Sequence, residues 1–313
     1  MGSSVSTQEI RIYHTSDWEP NQGGESRKDN WQSTRLRREY LFDELDDMLT
    51  RILETPPHIL LLAGDLFEGS KIYGSVLADW TREQYERLLD RLVSLQKKHV
   101  HIFYALGSHD IAAWRSTPGW RWWTEFPGTI LGRPEGEILR NVEVGGHTVI
   151  VLGFGSLGGS FEQKGSRKGD KARRQIYAGH IDGFLRDSHE WSDSPTILIS
   201  LSYYKYGSWW RDKPVHYVAL GGLETGVHKI KADGARRSRK NLREPFRTAL
   251  GWGVIQGPPV GFSPRHKYPR IFSITEIVLR KGNQRWTASE PQFLHPVKLT
   301  KVCWNYVETA DGA

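Results

Sequence analysis

Three apolar runs in this 313-residue chain end on residues able to do chemistry. Ile10 to His14 leads to Asp17, Ile59 to Gly64 leads to Asp65, and Ile102 to Gly107 leads to Ser108-His109-Asp110. A fourth run, Tyr217 to Leu220, stops abruptly at Gly221 and Gly222, with Glu224 just beyond. Short apolar runs broken by glycine read as buried strands delivering their last residues to the rim of a sheet. Aspartate after a strand often does no more than cap a turn. Four strand ends that each lead to polar or acidic residues point instead to one site assembled along one sheet edge.

The elements that must position these residues alternate. Thr34 to Leu53 predicts an amphipathic helix with Leu41, Leu45, Met48, Leu49 and Ile52 on one stripe, capped by Ser33 or Thr34 and ended by Pro56-Pro57. Leu77 to Lys97 predicts a second, turning Leu77, Trp80, Leu88, Leu92 and Leu95 inward. A β-α-β-α-β order implies parallel strands with helical crossovers. Asn141 to Val144 and His147 to Phe154 read as a hairpin turning at Gly145-Gly146. Ala172 to Leu185 reads as a helix, and Thr196 to Leu201, Trp252 to Gln256, Ile271 to Leu279 and Gln284 to Thr287 as strands. Between Ile111 and Gly136 lie Trp114, Trp120, Trp122 and Trp123 beside Arg115, Arg121 and Arg133. Such a segment either stacks nucleotide bases or packs a long loop onto the domain, and the high average burial of tryptophan favours packing.

Composition narrows the class. With 38% hydrophobic and 12% aromatic residues the chain can build a sizeable core. No apolar run approaches the roughly 20 residues of a membrane span, and Met1 to Gln8 lacks the apolar stretch of a secretion signal, so a cytoplasmic protein is expected. One cysteine, Cys303, excludes an internal disulfide framework and a thiolate zinc cluster. The net charge of +7 (pI ≈ 9.4) gathers in two stretches rich in Gly, Ser or Asp. The first holds Lys164, Arg167, Lys168, Lys171, Arg173 and Arg174. The second holds Arg236, Arg237, Arg239, Lys240, Arg243 and Arg247. Each is either a solvated loop or a surface that meets nucleic-acid phosphates.

In its motifs the chain resembles the calcineurin-like metallophosphoesterases, and among them the SbcD-type nuclease subunits that work with an SMC-like ATPase. His14-Thr15-Ser16-Asp17-Trp18-Glu19 is similar to HTSDWH, Gly64-Asp65-Leu66-Phe67 to GDLF, and Gly107-Ser108-His109-Asp110 to GNHD. The run from Tyr217 is similar to YVALGHIH, with Gly222 and Glu224 at its two histidine positions. The likeness spans about Ile10 to Trp304. It implies a sandwich of two mixed β-sheets flanked by helices, an α/β domain over 8–287, with 288–313 as a remnant of the family's larger C-terminal cap.

The resemblance also implies two divalent ions gripping a phosphodiester and activating a water. Its first ion would use Asp17, Glu19, Asp65 and Glu224, an all-oxygen set suited to Mg²⁺ or Mn²⁺. Its second would need Asp65, Ser108, Leu201 (or its neighbour Ser200) and Gly222, where leucine and glycine offer no ligand atom. The second site is lost, and the cofactor is one Mn²⁺ or Mg²⁺ ion or none. If the chain is active, His109 occupies the position that stabilises charge on phosphate and leaving group. Without a cation the four carboxylates would repel, and Glu19 and Glu224 would turn to arginine or lysine, with Lys205, Arg211 and the basic stretches as candidates. The expected partners are DNA, an SMC-like ABC ATPase and a second copy of the chain, with no membrane. Three functions compete: an impaired DNA-binding or scaffolding subunit, an active single-ion nuclease or phosphodiesterase, and a general phosphoesterase acting on a small phosphate ester, which the basic stretches disfavour.

Overall fold

The computed structural model describes residues 8–20, 31–67, 79–131, 139–155, 179, 182, 183, 185, 193–201, 211–221, 243–256, 274–282 and 285–294. Its first half alternates as the periodicity requires: β1 (Glu9–Thr15), α1 (Trp31–Glu54), β2 (Ile59–Leu62), α2 (Asp79–Lys97) and β3 (His101–Ala105). β1, β2 and β3 run parallel. α3 (Ser108–Ser116), α4 (Arg121–Thr124) and β4 (Thr129–Leu131) follow, then the hairpin β5 (Leu139–Val144) and β6 (His147–Phe154). The second half adds β7 (Thr196–Leu201), β8 (Tyr217–Gly221), β9 (Arg243–Arg247), β10 (Trp252–Gln256), β11 (Ile274–Lys281), β12 (Trp286–Ala288) and β13 (Gln292–Leu294).

These strands form two mixed sheets. One has the order β12-β11-β1-β2-β3-β4, with β13 also paired to β11, and the other β5-β6-β7-β8-β10-β9. Residue parity decides what each strand buries. Ile10 and Ile12, Ile59 and Leu61, and Phe103 and Ala105 point between the sheets, against Val149, Val151, Ile197, Ile199, Tyr217 and Ala219. Their alternates Tyr13, Leu60, Leu62, Ile102 and Tyr104 face Leu41, Leu45, Met48, Leu49 and Ile52 of α1 and Leu88, Leu92 and Leu95 of α2. Strands covered on both faces need unbroken apolar runs, and that is why β2, β7 and β8 read as continuous hydrophobic stretches.

Several sequence expectations change. The segment from Ile111 to Gly136 is not one long loop. Through residue 131 it holds most of α3, with α4 and β4. Trp120, Trp122 and Trp123 are buried with Phe67 and Tyr85, ring centroids about 5–6 Å apart, so these rings are core and not a base-stacking surface. The apolar pattern missed β9 because Arg243-Glu244-Pro245-Phe246-Arg247 is an edge strand with few apolar residues. β13 carries the first sheet to Leu294, and 295–313 lie outside the described residues. So does most of the expected helix from Ala172 to Leu185. Among the described residues no helix is long and apolar enough to cross a membrane.

Polar bridges tie the sheets together. The buried His14 Nδ1 lies 2.9 Å from the Tyr217 hydroxyl, and Gln256 Nε2 donates to the His14 carbonyl (2.8 Å) and to Thr275 Oγ1 (2.6 Å). At the opposite end of the second sheet, His216 Nδ1 accepts the Thr196 N–H at 3.0 Å. Burial pushes this imidazole down to about 4. Its folded pKa is thus depressed, and its contribution is complete above the unfolded value near 6.5 and lost as pH falls towards 4. Between pH 7.5 and 5 this group alone removes about 2 kcal/mol of stability. His216→Asn keeps an acceptor for Thr196 and titrates no longer. Urea melts of that variant at the two pH values should differ by about 2 kcal/mol less than those of the wild type.

Candidate metal centre

Backbone geometry delivers the site. β1 and β2 remain paired beyond their ends: Ala63 N–H donates to the Thr15 carbonyl (2.9 Å), Asp17 N–H to Gly64 (2.8 Å) and Glu19 N–H to Leu66 (3.1 Å). The chain then takes left-handed turns that non-glycine residues seldom adopt. Asp17, Glu19 and Asp65 have φ of 52°, 36° and 49°. Such conformations persist where the surroundings over-determine them, and they gather at functional sites.

Asp110 supplies that over-determination around Asp65. It is buried, and its carboxylate accepts four backbone N–H groups: Gly107 (2.7 Å), Asp65 (2.7 Å), Leu66 (2.8 Å) and Phe67 (3.2 Å). One side chain thereby caps the start of α3 and clamps the turn that carries Asp65. Gly107 is obligatory, because a Cβ there would overlap the Asp65 carboxylate. Burial outweighs these donors and raises the Asp110 carboxyl to about 6. Beside it, burial and the Asp110 charge push the Tyr104 phenol well up, keeping it protonated.

Three donors converge in front of this cradle. Glu19, Asp65 and His109 each place one ligand atom within 4.8 Å of the other two. His109 Nδ1 lies 2.7 Å from Glu19 Oε1, and the His109 backbone N–H donates to Asp65 Oδ1 at 3.1 Å. The two carboxylate side chains are buried, whereas His109 is 35% exposed and forms the outer wall. Burial raises the Asp65 carboxyl well above its ordinary range. Asp110, Asp17 and Glu19 add to that rise, and His109 opposes it. The pocket holds more negative charge than a dry site tolerates, and a cation relieves that repulsion.

Of the expected oxygen set, Glu19 and Asp65 thus come together with His109. Asp17 lies outside that triad but close enough for its charge to act on Asp65. Glu224 and Gly222 lie outside the described residues, as does the side chain of Ser108, whose backbone opens α3. Glu19 pairs with His109. No motif signalled that pairing, since 90 residues separate the two.

Of the described residues opposite, Leu201 and Gly221 stand at the ends of β7 and β8, in register with each other. Leu201 is buried against Gly64 and Gly221, so close that a Cβ on either glycine would press on it. A Cβ on Gly221 would also strike the Ala63 carbonyl. His216 cannot supply an imidazole here, because it precedes β8 at the far edge of the sheet. Among the described residues the donors Glu19, Asp65 and His109 fit a cation. Leu201, at the position where the resemblance expects a ligand, offers a hydrocarbon. The basic residues Lys164, Arg167, Lys168, Arg173, Arg174, Arg236, Arg237, Arg239 and Lys240, with Lys205 and His228, lie outside the described residues.

The Asp110 cradle yields a stability test. Asp110→Ala strands four N–H donors at about 1–3 kcal/mol each, so a loss of at least about 4 kcal/mol in urea denaturation is expected. Asp110→Asn keeps one acceptor oxygen and should recover part of that loss.

Curated protein sequences yield no match to this chain. Among solved structures, it is similar to NAD nucleotidase from Haemophilus influenzae, at 10% identity and a TM-score of 0.47. That alignment covers 97% of this chain and 56% of the other, so the chain spans little more than half that protein's length. It is also similar to a dimetal phosphatase from Danio rerio, at 11% identity and a TM-score of 0.42, covering 92% of this chain and 99% of that one. The model of one family, the calcineurin-like phosphoesterases, matches residues 10–231, well over half of the chain. With its two mixed sheets and a partial metal pocket at their seam, the chain belongs to the calcineurin-like metallophosphoesterases.

Proposed function

We propose that this chain is an SbcD-like subunit whose two-ion centre has shrunk to a single cation pocket, impaired in or incapable of phosphodiester hydrolysis. The observation that supports this reading is Leu201, packed onto Gly64 and Gly221 where the resemblance expects a histidine ligand. Gly222, at another of the vanished ligand positions, has no side chain to offer. The family's chemistry uses two ions on opposite sides of one phosphate. Glu19, Asp65 and His109 would hold the remaining ion, with Glu224 as a further donor, and that ion would supply Lewis-acid charge to a phosphate oxygen.

In this reading the retained function is binding. The basic stretches around Lys164–Arg174 and Arg236–Lys240 neutralise DNA phosphates, and the chain works beside an SMC-like ABC ATPase, singly or as a homodimer. A second reading, a nuclease or phosphodiesterase working with one Mn²⁺ or Mg²⁺ ion, is favoured by the convergence of three donors and the complete Asp110 cradle.

Two measurements separate these readings. Purified protein incubated with Mn²⁺ or Mg²⁺ on linear and hairpin DNA should show no cleavage above that of Asp65→Ala. Cleavage that requires the ion and vanishes in Asp65→Ala would establish the second reading instead. For DNA binding, the logarithm of affinity should fall linearly with the logarithm of salt concentration. Replacing Arg236, Arg237, Arg239 and Lys240 by alanine should flatten that slope by about 0.9 for each phosphate no longer neutralised. A slope that is flat in the wild type removes DNA from the proposal.

A further inference from the structure

We infer that the single ion of this pocket is held through His109, in a ligand set of two carboxylates and one imidazole (Glu19, Asp65 and His109 Nδ1), and not in an all-oxygen set. The inference rests on the one-cation reading above and specifies the chemistry of that same site. In the resemblance, the histidine of the Gly107-Ser108-His109-Asp110 motif serves the leaving group, and position 19 is itself a histidine ligand. Here glutamate stands at 19, and the imidazole has come to it.

Three observations carry the inference. His109 Nδ1 lies 2.7 Å from Glu19 Oε1. That is the length of a charge-assisted hydrogen bond, and also the separation of neighbouring ligands whose bonds of about 2.1 Å meet at roughly 80–90°. One atom from each of Glu19, Asp65 and His109 falls within 4.8 Å of the others, a convergence that does not include Asp17. The scaffold also holds all three in place. Asp65 is clamped through the Asp110 cradle, Glu19 through its N–H on the Leu66 carbonyl, and His109 through its N–H on Asp65 Oδ1. His109 is therefore positioned by the very carboxylate with which it would share the ion.

The consequence concerns which ion is taken. An imidazole donor favours Mn²⁺, Co²⁺ or Zn²⁺ over Mg²⁺ and Ca²⁺, which prefer oxygen and, for Mg²⁺, retained water. It also withdraws His109 from the leaving group, the position that phosphodiester cleavage would need.

Pulsed electron paramagnetic resonance of the full chain loaded with Mn²⁺ tests this directly. Modulation from a directly bound ¹⁴N nucleus is expected in the wild type and should vanish in His109→Gln. That variant should bind Mn²⁺ about a hundredfold more weakly, with its Mg²⁺ affinity changed far less. Should His109→Gln fail to fold, acylation of His109 by diethyl pyrocarbonate in the wild type decides, read by peptide mass spectrometry. Mn²⁺ should block it and Mg²⁺ should not. Nitrogen coupling that survives in His109→Gln, or one bound Mn²⁺ without nitrogen coupling, overturns this inference and leaves the one-cation reading standing. No bound ion at millimolar Mn²⁺, or two spin-coupled ions, overturns both.

Discussion

Crowded negative charge at the seam of two sheets is the constraint on which the rest of this structure turns. Asp17, Glu19, Asp65 and Asp110 are all buried within a few turns of backbone, where water cannot screen them. Three of them are accommodated in different ways. Asp110 spends its charge on four backbone N–H donors, and Glu19 meets the His109 imidazole. Asp65 is held well above its usual carboxyl range by burial and by the neighbouring acids. A cation placed among these acids would relieve the repulsion that raises the Asp65 carboxyl.

The scaffold beneath works towards the same end. Three consecutive parallel strands bring their carboxyl ends to one rim, the place where open α/β sheets gather ligands. Interlocking backbone bonds from Asp17 to Gly64 and from Glu19 to Leu66 prolong the pairing just far enough to force left-handed turns at the acidic residues. The second sheet reaches the same rim with Leu201 and Gly221. Among the described residues the first sheet brings Glu19, Asp65 and His109 to this rim, and the second brings the Leu201 side chain.

The sequence made much of that framework legible. The apolar runs located β1, β2, β3, β6, β7, β8 and β10 to within a residue or two, because strands covered on both faces must be continuously hydrophobic. The stripe from Leu41 to Ile52 located α1, because one face of that helix packs on a sheet. Short edge elements escaped. β4 and β13 have three residues each, and β9 carries Arg, Glu and Pro, so none imposes a period on the chain. α4 is a single turn held by two buried tryptophans, and its apolar residues reflect the core they enter rather than a helical repeat.

Residue types alone determined that acids and one histidine would stand at strand ends, and that leucine and glycine would occupy two positions where metal ligands are expected. These are properties of single positions, readable wherever the chain lies in space. Tertiary structure alone decided the pairings: Glu19 with His109 across 90 residues, and Asp110 with the turn after β2, 43 to 45 residues away. It decided as well that the leucine would press on Gly64 and seal one wall. Contacts between remote residues depend on how strands register and on which backbone groups are left without partners, and no local pattern records either.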